Sequence, residues 1–397
     1  MKEAVIVAGV RTAIGRVGGT LKEVEVDYLA AEVMREILKR SGIPGQLVDE
    51  VILGHTKQSG DNPNLARLAL LRANMPEEVP AYTVHRQCGS ALTAINNAVQ
   101  AIWAGTAEVI MAGGAESMST APYYLRNARY GFRMGNSVIL DSNTESQPRC
   151  QPEERYGRLT MGLTAENLAD KYNISRQEQD EFALVSQERA LRAIEAGLFT
   201  EEIVPYEIKT KKGVTVFDQD EHPRETSMAQ LAKLAPVFKE GGTVTAGNSS
   251  GRNDAAAVLM VMTPEKAKEF GLKPLVRIIG IGAKGAPPQI MGIGPVAASQ
   301  AALKMAGLSL NQIDLIELNE AFAAQSLAVV KELGLDLAKT NVNGGAIALG
   351  HPLGATGAII LIKLINEMRR TGKKYGLATL CIGGGQGIST VVENMMI

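Results

Sequence analysis

Two distant stretches of this sequence carry the same order of apolar and polar segments, and a chain that repeats itself in this way is constrained to fold as two similar units. In the first, residues 28–40 show helical spacing, with Leu29, Val33, Ile37 and Leu38 on one face, and residues 48–53 read as a strand. In the second, residues 297–306 are helical and residues 313–318 read as a strand. Gly42 then falls on Gly307, and Asp49 on Asp314. The correspondence runs on. Cys88 precedes a helical pattern at 91–103 that leads into V-I-M-A-G-G-A-E-S, and G-H-P-L-G-A-T-G around His351 precedes one that leads into A-T-L-C-I-G-G-G-Q-G. Each copy reads strand, polar turn, helix, strand, Gly-rich turn. The expectation is two homologous α/β halves, each around a buried sheet, over residues 1–118 plus 244–268 and residues 270–397. A buried strand at 4–8 opens the first half.

Residues 119–243 change character. Charges cluster at Glu153, Glu154 and Arg155 and again from Asp218 to Glu221, and the helical stretch 177–196 is strongly polar. This reads as an inserted loop domain, suited to act as a lid. Its pattern at 176–190 has only a thin apolar stripe of Phe182, Val185 and Ala190, so that helix is expected to lie on another layer rather than inside one. With 41 glycines and 4% aromatics, the core must be aliphatic and the backbones close.

A formal net charge of −1, with 41 basic and 42 acidic residues and no long run of one sign, offers no field to gather nucleic acid or an anionic membrane. Small-molecule chemistry is the better expectation. The three cysteines, Cys88, Cys150 and Cys381, are too few for a disulfide framework and fit a reducing compartment, and no C-x-x-C pair suggests zinc. The N-terminal residues lack the apolar stretch of a signal peptide, and the apolar run 358–365 carries Lys363 and is too short to span a bilayer. A soluble cytoplasmic protein is expected.

Four places can carry chemistry. Cys88 stands just before a helix, where backbone N–H groups and the helix dipole favour thiolate, although an isolated cysteine is more often a buried structural one. His351 lies between Gly344, Gly345, Gly350, Gly354 and Gly357, which let the backbone turn tightly on both sides of one imidazole; it is a candidate general base, with a core or capping histidine as the plain alternative. Cys381 follows a strand at 376–380 and opens C-I-G-G-G-Q-G, whose N–H groups suit an oxyanion; the loop lacks the Lys-Ser/Thr of a nucleotide-binding P-loop. Asn319 and Glu320 end an apolar strand, where they either reach a site at the sheet edge or cap the next helix.

These segments resemble the signature loops of thiolases: Q-C-G-S-A at Cys88, N-E-A-F from Asn319, G-H-P at His351 and C-x-G-G-G at Cys381. G-G-A-E-S-M-S, M-G-L-T-A-E-N and T-A-G-N-S-S-G also occur in the family's order, so the likeness covers the whole chain. The resemblance implies a five-layered α-β-α-β-α fold with a loop domain and a ping-pong Claisen reaction on coenzyme A thioesters, without a resident cofactor or metal. By position it implies that His351 takes the proton of Cys88, that Cys88 is acylated, and that Cys381 deprotonates C2 of acetyl-CoA. It assigns one oxyanion hole to His351 with a water held by Asn319, and another to the N–H groups of Cys88 and Gly383. Ser250 and Arg224 would contact coenzyme A, and Met161, Met291 and Phe322 would wall the acyl and pantetheine channel. A homodimer or homotetramer is implied too. The open alternatives are a biosynthetic thiolase, a degradative one for longer 3-oxoacyl-CoA, an acyl-CoA-binding protein without turnover, and a condensing enzyme acting on carrier-protein substrates. The chain departs from the family pattern at His85, Ala91, Thr160, in N-D-A-A at 253–256 and throughout 141–158, near the expected acyl pocket. Cys150, exposed by composition, is given no role, His55 is expected to be structural, and His222 to be solvated.

Overall fold

Strand β1 (Val5–Thr12) is joined by β2 (Glu50–Gly54), β3 (Ala81–Val84), β4 (Val109–Ser117) and β5 (Asn253–Met262) in the spatial order β1-β5-β4-β2-β3. The later strands β6 (Val276–Gly285), β7 (Leu315–Leu318), β8 (Tyr375–Ile382) and β9 (Gln386–Asn394) run in the matching order β6-β9-β8-β7. An isolated bridge between Ile316 and Thr340 continues the second set where β3 continues the first. The computed structural model describes residues 2–211 and 213–396; Met1, Lys212 and Ile397, which belong to the expected segments, lie outside the described residues.

The duplication extends to single hydrogen bonds. Asp49 Oδ2 accepts from the backbone N–H of Glu108 (2.6 Å) and Val109 (2.9 Å), and Asp314 Oδ2 accepts from Lys374 (3.0 Å) and Tyr375 (2.9 Å). In each half one carboxylate fixes the start of the next strand. The two sheets are not separate, as the repeat suggested: β1 and β6 pair antiparallel through Val5–Arg277 and Ile6–Val276, which joins them into one ladder. Pairing satisfies the backbone groups that two free edges would leave open.

The helices that position the site are α1 (Val26–Ser41), α2 (Ser90–Ala104), α3 (Met161–Tyr172), α4 (Arg176–Glu195), α5 (Gly294–Ala306) and α6 (Thr356–Thr371). α1 covers the outer face of the first set of strands and α5 that of the second. Both end on a left-handed glycine, Gly42 and Gly307, each at φ +67°. α2 and α6 pack against each other between the sheets, giving the α-β-α-β-α layering. A helix in that middle layer must be apolar around most of its circumference, and Ala91, Leu92, Ala94, Ile95, Ala98 and Val99 are all fully buried. The layers meet backbone to backbone. A Cβ on Gly357 would lie 2.4 Å from the Leu92 nitrogen, and one on Gly114 would lie 2.0 Å from the Gly354 oxygen.

Helix α4 lies on the turn at Ala346–Leu349; of the apolar stripe, Ala190 is buried and Phe182 half-buried against Ala323 and Ile347, and small and polar residues complete the inward face. Ala183, Ser186, Gln187 and Ala190 face inward while Val185 is exposed. The reason is closeness: Gly344 approaches so near that a Cβ there would lie 2.7 Å from Ala190, which leaves no room for Phe or Val. Among the described residues no helix is long and apolar enough to cross a membrane.

Candidate active site

Cys88 sits in the turn from β3 to α2, and the turn is held by its own short bonds. Arg86 N–H donates to Ser90 Oγ (2.9 Å), and the Ser90 hydroxyl donates to the Gln87 carbonyl (2.6 Å). Gln87 is forced to φ +45°, a left-handed conformation that costs a non-glycine residue energy and recurs where a nucleophile must be presented. The N–H groups of Gly383 and of Cys88 itself point at the sulfur. Gly383 follows β8, which extends through Cys381 instead of ending before it.

His351 occupies the corresponding turn of the second half, ahead of α6. Its backbone N–H donates to Asn253 Oδ1 (2.9 Å), and Gly350 beside it adopts φ +108°. His351 Nδ1 lies 2.7 Å from Thr356 Oγ1, whose own hydroxyl donates to the Pro352 carbonyl at 2.9 Å. The hydroxyl proton is thereby spent, so Nδ1 is the protonated nitrogen and donates, leaving Nε2 as a free base. Asn319 Nδ2 stands 3.5 Å from Nε2, and Asn319 Oδ1 is buried without a protein partner. Such an atom is where a bound water fits.

Buried carboxylates brace this loop from both sides. Glu320 accepts from the Ser186 hydroxyl (2.6 Å), Asn341 Nδ2 (2.8 Å) and the Ile347 N–H (3.2 Å), so it is a brace and not a helix cap. Glu116 accepts from the Gly354 N–H (2.8 Å) and pairs with His55 Nδ1 (2.9 Å). Burial alone would raise the Glu116 pKa, but His55 beside it and the hydrogen bonds it accepts hold it down to about 2. His55 is structural, as expected.

One cavity of about 160 Å³ brings Cys88, His351 and Gly383 together with Ser250, Met161 and Phe322, and Met291 also lines it. Cys381 lies beneath the cavity floor, fully buried among Met291, Phe322 and Ala321. A larger hollow of about 420 Å³ on the far side of α6 is lined by none of the three cysteines.

Arg224, expected to contact coenzyme A, is set apart from the cavity, and two expectations of exposure, for Cys150 and His222, fail. Arg224 is exposed and does not line the cavity; its N–H donates to Gln187 Oε1, while Arg252, two residues after Ser250, does line it. Cys150 is not on the surface: it lines the cavity with Asn143, Ser146 and Gln147, and its sulfur lies 3.1 Å from where a Cβ on Gly383 would be. Segment 141–158, expected near the acyl pocket, does line the cavity, and two of its short turns fold back beside Cys88. His222 is likewise packed inward, 2.3 Å from where a Cβ on Gly251 would lie, and burial pushes its pKa down to about 4.

Residues 4–265 match the family model described as Thiolase, N-terminal domain, and residues 272–394 match Thiolase, C-terminal domain. The chain belongs to the thiolase family. It is 51% identical over 403 residues to an acetyl-CoA acetyltransferase of Syntrophomonas wolfei subsp. wolfei, with 99% of each chain covered. The crystal structure of the Bacillus anthracis acetyl-CoA acetyltransferase superposes with a TM-score of 0.96 at 48% identity, covering 99% of both chains. Human mitochondrial 3-ketoacyl-CoA thiolase in complex with CoA superposes at 0.94 with 45% identity, covering 99% of this chain and 98% of that one.

The electrostatics of this thiolase differ from what a cysteine near a helix start suggests. Burial pushes the Cys88 thiol up to about 12, against the smaller downward pull of the Gly383 and Cys88 amides. Cys88 lies before the first helical turn, so desolvation outweighs the dipole. Cys381 is also raised by burial, and His351 is lowered to about 4. At neutral pH the resting site holds two thiols and a neutral imidazole, and any charge must form against donors already in place. The departures are absorbed locally: His85 is exposed and accepts from Gln87 N–H (3.5 Å) while Ser90 braces the turn, Gly54 lacks the Cβ that would lie 2.4 Å from the Ala91 nitrogen, and Thr160 caps α3 through Leu163 N–H (3.4 Å).

Proposed function

We propose that this thiolase transfers acyl groups between coenzyme A thioesters through Cys88, joining acetyl-CoA to a short acyl-CoA and, in reverse, cleaving a 3-oxoacyl-CoA with coenzyme A. The observation that carries this reading is the presence, on one cavity, of Cys88 and an imidazole fixed in the tautomer that leaves Nε2 free. His351 Nε2 takes the thiol proton as sulfur attacks the thioester carbonyl. The tetrahedral oxyanion collapses, coenzyme A leaves with the proton of the Cys381 thiol, and acyl-Cys88 remains beside an imidazolium whose Nε2 carries the proton of Cys88. The Cys381 thiolate then removes a proton from C2 of acetyl-CoA; the enolate oxygen is stabilised by His351 Nε2–H and a water on Asn319. The enolate carbon attacks the acyl-Cys88 carbonyl, whose oxygen is received by the N–H groups of Cys88 and Gly383. Expulsion of the Cys88 thiolate gives the 3-oxoacyl-CoA, and the thiolate takes its proton back from His351 Nε2.

The chemistry needs no resident cofactor, since coenzyme A thioesters are its substrates. The small cavity, shared between pantetheine and acyl group, favours acetyl-CoA acetyltransferase activity over cleavage of long 3-oxoacyl chains. A homodimer or homotetramer is the proposed assembly, supported by the open edge strand β3 and the largely exposed Tyr130, Met134 and Val138. Three free cysteines support a reducing, cytoplasmic setting.

The test is the absorbance of the enolate–magnesium complex of acetoacetyl-CoA. It falls when coenzyme A and enzyme are added, and Cys88→Ser abolishes the fall. No fall with acetoacetyl-CoA or any longer 3-oxoacyl-CoA would overturn the proposal. Rates across a chain-length series separate the short-chain reading from the long-chain one.

A further inference from the structure

The part of the cavity wall supplied by segment 141–158 is polar. Asn143, Ser146, Gln147 and Cys150 line it, in a cavity that Met161, Met291 and Phe322 also line. A wall for a plain alkyl group gains from apolar side chains, and a buried amide there costs free energy unless something pairs with it.

The hydrogen bonds define what is missing. Asn143 is 8% exposed; its Nδ2 donates to the Met118 carbonyl (2.9 Å), but its Oδ1 accepts from nothing. Ser146 Oγ accepts from Lys57 Nζ at 2.9 Å, which leaves the hydroxyl proton free to be given away. Lys57 is buried and also donates to the Ser142 carbonyl (3.2 Å), so it ties this turn to the end of β2 and polarises the Ser146 hydroxyl as a donor. Cys150 donates to the Ser146 carbonyl at 3.2 Å and stands against Gly383, one of the N–H groups aimed at the Cys88 sulfur.

We propose that this wall selects an acyl group carrying a hydroxyl a few bonds from the thioester carbonyl, the hydroxyl donating to Asn143 Oδ1 and accepting from Ser146 Oγ–H. The inference rests on the acyl-Cys88 reading above and names the substrate class of that site. A hydroxyl supplies both a donor and an acceptor on a single atom. A carboxylate supplies acceptors alone, so it would leave Asn143 Oδ1 facing negative oxygen. A methyl group would leave both protein groups unpaired.

The experiment compares acylation of Cys88 in the full-length protein, read by intact mass and by coenzyme A release, from four thioesters: acetyl-CoA, butanoyl-CoA, 3-hydroxypropanoyl-CoA and malonyl-CoA. The second and third differ by methyl for hydroxyl at one position. The expected result is that 3-hydroxypropanoyl-CoA acylates roughly tenfold or more faster per unit concentration than butanoyl-CoA, since a site built to bond a hydroxyl rejects the analogue lacking it. Ser146→Ala and Asn143→Leu each bring the ratio toward one or invert it. Equal rates, or preference for butanoyl-CoA or malonyl-CoA, overturn the inference while acetylation by acetyl-CoA leaves the acyl-Cys88 reading intact. Failure of all four to acylate Cys88 overturns both. An unchanged ratio in both variants also overturns it, because the preference would then arise elsewhere.

Discussion

Replacing His351 with asparagine should make the protein less sensitive to acid even though it removes the base. The introduced side-chain amide places its N–H group where Nδ1–H stands and keeps the donation to Thr356 Oγ1, so the loop loses little. What it cannot do is titrate. Burial lowers the His351 pKa from its usual 6.5 to about 4 in the folded protein. Between those values the unfolded chain binds a proton that the folded chain refuses. Stability present above pH 6.5 is therefore lost as pH falls, and the loss levels off below the folded value of about 4. At roughly 1.4 kcal/mol per pKa unit, the contribution lost between about pH 7.5 and about pH 4.5 is about 2.5 kcal/mol. The assay is urea unfolding at both pH values for wild type and His351→Asn, at one protein concentration so that any assembly contributes equally. His222 is present in both proteins and cancels. The variant should lose about 2.5 kcal/mol less than wild type on acidification. Losses that agree within about 0.5 kcal/mol would show that His351 is not held neutral, and the argument that Nε2 is a ready base would fall with it.

Thr356→Val removes the acceptor bonded to Nδ1, so kcat for thiolysis should fall by about 100-fold with KM for coenzyme A little changed, and Thr356→Ser should restore it; equal activity of the valine variant would refute the tautomer argument. Gly357→Ala puts a methyl 2.4 Å from the Leu92 nitrogen and should cost about 1–3 kcal/mol, read as a lower Tm, whereas an unchanged Tm would mean that α2 and α6 can separate freely. Arg11 is fully buried between Glu202 (2.7 Å) and Asp220 (2.7 Å), and Arg11→Met, which strands both carboxylates, should destabilise by about 3–5 kcal/mol in the same urea assay. A loss under about 1 kcal/mol would show that water reaches the pair.

The two-fold repetition, the helices that follow Cys88 and His351, and the loops of Cys88, His351, Asn319 and Cys381 were legible along the chain. They are written in properties that survive without a third dimension: hydrophobic period, glycine placement, and residue order around a turn. Asp49 and Asp314 could be paired from spacing alone because each fixes its own strand start through neighbours in the same half. Whatever depends on burial, or on a segment's return from afar, waited for the folded molecule. Folding set the Cys88 thiol high where the helix start suggested low, because desolvation is a property of what surrounds the sulfur and not of its neighbours in sequence. It put Ala190 of α4 against Gly344, far along the chain, where a larger side chain would not fit, and left Val185 outside. It left Arg224 outside the cavity and brought Cys150, Asn143 and Ser146 in, since a polar composition says that a segment is soluble but not which wall it completes. The turn that carries Cys88 could be read from the chain; the walls of the cavity it lines are assembled only by folding.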